Sequence, residues 1–162
     1  MSLVELDVAL HGDAWAQTCP GAEALAESAA RAALAAVAPA GEASLVVGLV
    51  LTDDTEQRQL NCTYRGVDKP TNVLSFALAD GPSPPGAPLL LGDVVLAYET
   101  VVREAAEQEK PLADHLQHLV VHGVLHLLGF DHENDTEAAR MEALEVEILE
   151  RLGVPDPYRD IM

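Results

Sequence analysis

The chain has 162 residues, 49% of them apolar, which is enough for a single domain with its own hydrophobic core. Its formal net charge of −18, from 9 basic and 27 acidic residues, disfavours a protein that covers long stretches of nucleic acid. No apolar run is long enough to span a membrane, the start is unlike a signal peptide and there are only 2 cysteines, so the chain is expected in the cytoplasm, away from membranes.

The hydrophobic pattern predicts a chain of alternating strands and helices, in the order β-α-β-α-β-β-α-α-α. The predicted strands are Leu3–Leu10, Ser44–Leu51, Val73–Leu78 and Leu89–Ala97. The predicted helices are Gly21–Val37, a short one capped by Asp53 or Asp54 that ends at Leu60, Tyr98–Gln108, Pro111 to about Leu128, and one from Asn134 or Asp135 to about Leu152. Asn61–Asn72 is predicted to be a loop. The expected fold is one α+β domain over residues 1–162, with a small mixed four-stranded sheet packed with five or six helices.

A helix and turn after the predicted sheet carry three histidines whose spacing suits one metal ion. His122 and His126 are four residues apart, so they share a face of the predicted helix. Gly129 can adopt the left-handed conformation that ends a helix, which lets His132 approach from the following turn. Three neutral imidazoles around one open position are typical of a hydrolytic zinc site. We therefore expect one Zn²⁺ per chain, held by His122, His126 and His132.

The residue after the first histidine bears on which bond such a site would cleave. The spacing matches the metzincin peptidase signature H-E-x-x-H-x-x-G-x-x-H except at its glutamate, the general base, where this chain has Gly123. Peptide hydrolysis is therefore disfavoured, although it is not excluded. A phosphodiester suits the site better, because a metal ion can both polarise a phosphoryl oxygen and supply the nucleophile.

A short basic region lies earlier in the acidic chain. Arg58, Arg65 and Lys69 fall within twelve residues in which Asp68 is the only acid, so this window can bind phosphate locally. Arg65 suits that role, since a guanidinium stays protonated and can bind two phosphate oxygens at once. The structural alternative is that Arg65 pairs with Asp68 or Asp93. Long nucleic acid should bind weakly unless a partner presents it.

Two further histidines precede the motif on the same predicted helix. His118 lies one turn before His122 and is a candidate proton shuttle or substrate contact, or a histidine with no chemical role. His115 is expected at the surface.

Two segments together are similar to the YbeY family of bacterial rRNA maturation factors, which are single-strand-specific metallo-endoribonucleases. They are HLVVHGVLHLLGFDH over 118–132 and NCTYRGVDKPTNVLSF over 61–76. LGDVV at 91–95 and the acidic helix from Glu137 also resemble the family, and the similarity runs from about Val50 to the C-terminus. One departure is Asn72, where Asp is expected in much of the family.

The resemblance implies that His122, His126 and His132 bind zinc and that Arg65 faces the metal across a cleft. Arg65 and His122 are thus the expected catalytic residues, and Arg65, Lys69 and His118 the expected substrate contacts. The implied activity is cleavage of single-stranded RNA during maturation of the 3′ end of 16S rRNA and in ribosome quality control. The implied partners are that RNA region and small-subunit ribosomal proteins. The alternatives are a ribosome-associated binding factor with a structural zinc, and a metal-dependent hydrolase acting on another bond.

Overall fold

The computed structural model describes residues 4–37, 45–77, 89–130 and 134–158. In these ranges the strands are β1 (Val4–Leu10), β2 (Leu45–Thr52), β3 (Val73–Ala77) and β4 (Leu89–Ala97). The helices are α1 (Ala14–Thr18), α2 (Ala22–Val37), α3 (Asp54–Arg65), α4 (Tyr98–Glu107), α5 (Leu112–Leu127) and α6 (Asp135–Arg151). The strands form one sheet in the order β1-β2-β4-β3, with β1, β2 and β4 parallel and β3 antiparallel to β4. The predicted α+β fold with a mixed four-stranded sheet is therefore confirmed.

Two helices differ from the prediction, and both differences have a physical cause. The sequence pattern gave no sign of α1, a single turn held by Trp15, whose buried indole N–H donates to the Thr52 carbonyl at 2.9 Å. Helix α3 does not end at Leu60 but continues to Arg65, so the predicted loop from Asn61 was wrong over its first five residues. The buried residues of α3 are the polar Gln57 and Asn61, and a hydrophobic pattern therefore could not reveal how far the helix extends.

The core lies between the sheet and a layer formed by α2, α5 and α6. Helix α2 packs against α5 through small side chains, since its alanines at 26, 29, 30 and 33 are fully buried. Small residues let two helices approach closely, and α5 in turn contacts β3, β4 and α6. Helix α5 is therefore the central helix of the fold. No helix in the described ranges is both long enough and apolar enough to cross a membrane.

Gly123 is the point at which α5 comes closest to the sheet. A Cβ atom built there would lie 2.6 Å from Cγ1 of Val94 and 3.2 Å from Oγ of Ser75, so the position has no room for a side chain. The Ser75 hydroxyl donates a hydrogen bond to the Gly123 carbonyl at 2.8 Å, which fixes the contact. The second position of the histidine motif thus faces the sheet rather than a solvent cleft. Packing explains the glycine, and a glutamate there could not act as a base.

We expect Gly123→Ala to destabilise the protein by about 1–3 kcal/mol through overpacking, even though alanine favours a helix over glycine by about 1 kcal/mol. The midpoint of urea unfolding at an unchanged m value measures this. Val94→Ala is the matched second change, because it removes the side chain that the new methyl group would meet. The double variant should lose less than the sum of the single losses. A Gly123→Ala protein more stable than its parent would contradict the close contact.

Candidate active site

The C-terminal half of α5 brings two of the predicted metal ligands together. The rings of His122 and His126 have centroids 4.7 Å apart, and both line a cleft of about 410 Å³. The helix ends at Leu127, and Gly129 has the predicted left-handed conformation with φ 100°. The third predicted ligand, His132, lies outside the described residues. Within the described ranges, no group of three or more His, Cys, Asp or Glu side chains is arranged to hold a metal ion.

Arg65 lies at the C-terminal end of α3 and lines the same cleft as the two histidines. Helix α3 ends there because Gly66 has the left-handed conformation, with φ 70°. Among the residues that the structure describes, Arg65 forms no ion pair. Asp68 instead binds Arg58 at 2.8 Å, and Asp93 has no ion pair with any described residue either. The alternative that Arg65 is held by Asp68 or Asp93 is therefore wrong, and its guanidinium can bind an anion in the cleft.

A buried carboxylate behind His122 completes the arrangement, and the sequence analysis missed it. Glu145 of α6 is 0% exposed, and its Oε1 lies 2.5 Å from Nδ1 of His122. The Tyr158 hydroxyl donates to the other carboxylate oxygen, and Nε2 of His118 lies 3.6 Å from Oε1. Glu145 follows Met141 by four residues and precedes Ile148 and Leu149 by three and four. An acidic residue within this apolar stripe was the signal that could have revealed it.

The electrostatics of this cluster fix which nitrogen of His122 carries the proton. Burial by itself would raise the pKa of Glu145, but the nearby His118 and the hydrogen bonds from His122 and Tyr158 outweigh it and hold that pKa at about 2. Burial and the neighbouring Glu145 carboxylate raise the pKa of Tyr158. The Tyr158 hydroxyl therefore stays protonated and donates a hydrogen bond to Glu145. Because an ionised carboxylate only accepts hydrogen bonds, Nδ1 of His122 must be the donor. In the neutral imidazole the lone pair then lies on Nε2, the form in which a histidine can coordinate a metal ion.

The other two predicted substrate contacts are not among the residues that line the cleft. Lys69 has an exposed side chain, and its carbonyl oxygen accepts a hydrogen bond from Asn61 at 2.8 Å. His118 is mostly buried, and its Nε2 lies 3.3 Å from the Tyr158 hydroxyl, next to Glu145. The structure therefore places His118 against the carboxylate that supports His122. Direct contact of either residue with a substrate stays a prediction.

His115 was expected at the surface, and this was wrong: it is 3% exposed. Its Nε2 lies 2.9 Å from Oε1 of Glu104, and burial lowers the pKa of His115 although Glu104 opposes this shift. The same carboxylate accepts a hydrogen bond from the Asn72 amide at 3.0 Å, while the amide oxygen of Asn72 accepts from the backbone N–H of Val73. Asn72 thus ties the segment before β3 to α4. An aspartate at this position would face Glu104 with a like charge.

The fold and the sequence both have known counterparts. The family model described as "Endoribonuclease YbeY" matches residues 16–153. A protein named endoribonuclease YbeY from Paramagnetospirillum magneticum is 54% identical over 159 residues, covering 96% of both chains. A protein of the same name from Bradyrhizobium sp. strain BTAi1 is 52% identical over 158 residues, covering 95% of this chain and 92% of the relative. A third, from Rhodospirillum rubrum, is 54% identical over 154 residues, covering 90% of this chain and 77% of the relative.

Among solved structures, the solution structure of TM1509 from Thermotoga maritima is similar to this fold, with a TM-score of 0.53 and 21% sequence identity. The similarity covers 96% of each chain, so it includes the sheet and the helices on both sides of the cleft. The match to the family model extends over most of the chain, and the relatives share about half of their residues with it. On these grounds the chain belongs to the endoribonuclease YbeY family.

Proposed function

We propose that this protein is a zinc-dependent endoribonuclease that cleaves single-stranded RNA in the cleft between α5 and Arg65, during maturation of the 3′ end of 16S rRNA. Membership of the endoribonuclease YbeY family supports RNA hydrolysis and a part in rRNA processing. The observation that carries the proposal is that Arg65 lines one cleft together with His122 and His126. A phosphate next to the histidines would thus lie within reach of a permanent positive charge.

Two features of the described residues support the proposal of a zinc ion. Two imidazoles share one face of α5, and Glu145 holds His122 in the tautomer whose Nε2 can coordinate a metal. We propose His122, His126 and His132 as the ligands of one Zn²⁺. Bound there, zinc would supply a Lewis acid toward a phosphodiester.

The contribution of Arg65 follows from the chemistry of its side chain. Two parallel N–H groups of a guanidinium can bind two non-bridging oxygens of a phosphodiester, which orients the phosphorus. The same contacts strengthen as negative charge increases on those oxygens during nucleophilic attack. Lys69 is a further cation of this region that can contact the RNA backbone beside the cleft. A cytoplasmic location goes with this proposal, as that is where bacterial rRNA is processed.

The charge of the chain bears on how the substrate arrives. With a net charge of −18, the protein repels RNA at long range, and the cations of the Arg58 to Lys69 region act only locally. Contacts with small-subunit ribosomal proteins would place the immature rRNA 3′ end at the cleft and offset that repulsion. Dependence on such contacts also suits a role in ribosome quality control, because only an assembled particle would present the RNA.

We expect His126→Ala to lose both bound zinc and RNA cleavage, since one of three imidazole ligands is removed. Zinc is quantified by mass spectrometry of the purified protein, and cleavage is followed on a precursor of 16S rRNA with an extended 3′ end. The matched control is the parent protein freed of metal with a chelator, which keeps His126. Full cleavage by metal-free parent protein would rule out a role for zinc.

Glu145→Gln should weaken zinc binding by about 10-fold to 100-fold, because a neutral amide no longer enforces the proton position on His122. Competition with a fluorescent zinc chelator gives the Kd without any use of RNA. Tyr158→Phe removes only the hydroxyl that donates to Glu145, and it should therefore have a smaller effect in the same direction. An unchanged Kd for Glu145→Gln would show that this carboxylate does not orient the ligand.

Arg65→Ala should reduce kcat/KM for RNA by about 100-fold to 1000-fold with zinc content unchanged, the range for removal of one group that stabilises transition-state charge. Arg58→Ala is the matched control, because it removes the same charge from the same helix at a residue paired with Asp68. In a bacterial strain that lacks its own family member, Arg65→Ala should accumulate precursor 16S rRNA. Normal maturation there would favour a binding factor with a structural zinc.

A further inference from the structure

A second cavity, of about 890 Å³, adjoins the cleft, and Arg65, Ser75 and Ala77 line both. We call this cavity the side groove. Its other walls come from β2, β3, β4 and α3 and from His11, which follows β1, and they include Leu60, Tyr64, Phe76, Asp93 and Val95. Phe76 and Asp93 are register partners on β3 and β4, so their side chains project from one face of the sheet. Val94, which meets α5 at Gly123, projects from the other face.

Tyr64 forms an exposed aromatic surface at this groove. It is 71% exposed, the highest value among the large apolar residues that the structure describes. Its ring packs on one side against Phe76, with centroids 5.6 Å apart and planes at 60°. Tyr64 also precedes Arg65 directly in the last turn of α3. An exposed aromatic ring beside an arginine is the arrangement with which proteins stack unpaired nucleobases next to a bound phosphate.

Away from Arg65, the polar lining of the groove suits a base rather than a phosphate. Asp93 lines the groove, and within the described residues its carboxylate has no hydrogen-bond or ion-pair partner. Gly48 makes room for it, since a Cβ there would overlap the carboxylate. Glu56, paired with His11 at 2.5 Å, adds a second acid. Acidic side chains repel phosphate but accept hydrogen bonds from the amino groups of bases.

We propose that the side groove binds one unpaired nucleobase of the RNA, next to the phosphate at Arg65, with Tyr64 stacked on the base and Asp93 accepting from its edge. This rests on the proposed function and adds a reason for single-strand specificity, because a base held in a duplex cannot enter the groove. It also assigns a preference, since adenine, cytosine and guanine each offer Asp93 an exocyclic amino group, whereas uracil offers only a ring N–H. Docking of a ribosomal protein on Tyr64 is the competing explanation of its exposure.

The test uses the zinc-loaded protein and a single-stranded oligoribonucleotide with one mapped cleavage site. The same oligonucleotide is made with an abasic ribose on one or the other side of that site. Tyr64→Ala should lower kcat/KM by about 10-fold to 100-fold on the intact oligonucleotide, the range for loss of one stacked base. Tyr64→Phe keeps the ring and should restore cleavage. Val67→Ala is the control, because Val67 is also exposed but does not line the groove.

The losses of kcat/KM caused by Tyr64→Ala and by removal of the base should not add. Removing the base that occupies the groove should slow the parent protein about as much as Tyr64→Ala does, and should slow the Tyr64→Ala variant little further. Asp93→Asn should reduce the preference for an amino-bearing base at that position, with zinc content unchanged. Equal unfolding midpoints of the variants and the parent exclude a loss of fold.

Three results would overturn the proposal. If the base removal and Tyr64→Ala slow cleavage independently, the base does not contact the ring. If Tyr64→Ala cleaves the oligonucleotide normally but fails to mature rRNA in cells, Tyr64 contacts a protein partner instead. If the parent cleaves no RNA while zinc is bound, the proposed function fails, and the side groove loses its substrate with it.

Discussion

The close approach of α5 to the sheet is the constraint on which the site depends. Because Gly123 has no side chain, the helix lies directly on Val94, and the Ser75 hydroxyl holds its backbone there. This contact places His122 and His126 at the edge formed by β3, where Arg65 lines the opposite part of the cleft. The motif position that carries the general base in metal-dependent peptidases is thus used for packing. A carboxylate base at position 123 is therefore excluded by the fold itself.

Among the described residues, the carboxylate that contacts His122 is Glu145, and it has another role. Burying an ionised carboxylate costs several kcal/mol unless hydrogen bonds compensate for the lost water. Glu145 has such bonds from His122 and Tyr158, and His118 lies close to it as well. With a pKa of about 2 it stays ionised at neutral pH, so it cannot supply a proton there. Its role is to orient the His122 ring. Helix α6, which carries Glu145, and Tyr158, which donates to it, therefore both help to position His122.

Local sequence patterns were sufficient to predict most of the strands and helices and the histidine side of the cleft. The i and i+4 spacing of His122 and His126 and the left-handed Gly129 are local features, so the sequence alone could place them. Features that depend on tertiary contacts were missed. The C-terminal part of α3 is anchored through the buried polar Asn61, and the buried His115 is paired with Glu104 from another helix. Glu145 could be recognised only by asking why an acidic residue interrupts an apolar stripe.

The distribution of charge around the cleft and the side groove cannot be read from the net charge of the chain. Arg65, at the border of the cleft and the groove, carries a positive charge that no carboxylate in the described residues neutralises, whereas the groove beyond it contains Asp93 and Glu56. An RNA phosphate is attracted to the first region and repelled by the second, while a neutral base can enter the second. An RNA strand can place a phosphate at Arg65 and a base in the groove only when that base turns away from the backbone. Base pairing in a duplex prevents this. An acidic protein can in this way select single-stranded RNA through a few short-range contacts, without the basic surface that non-specific binding requires.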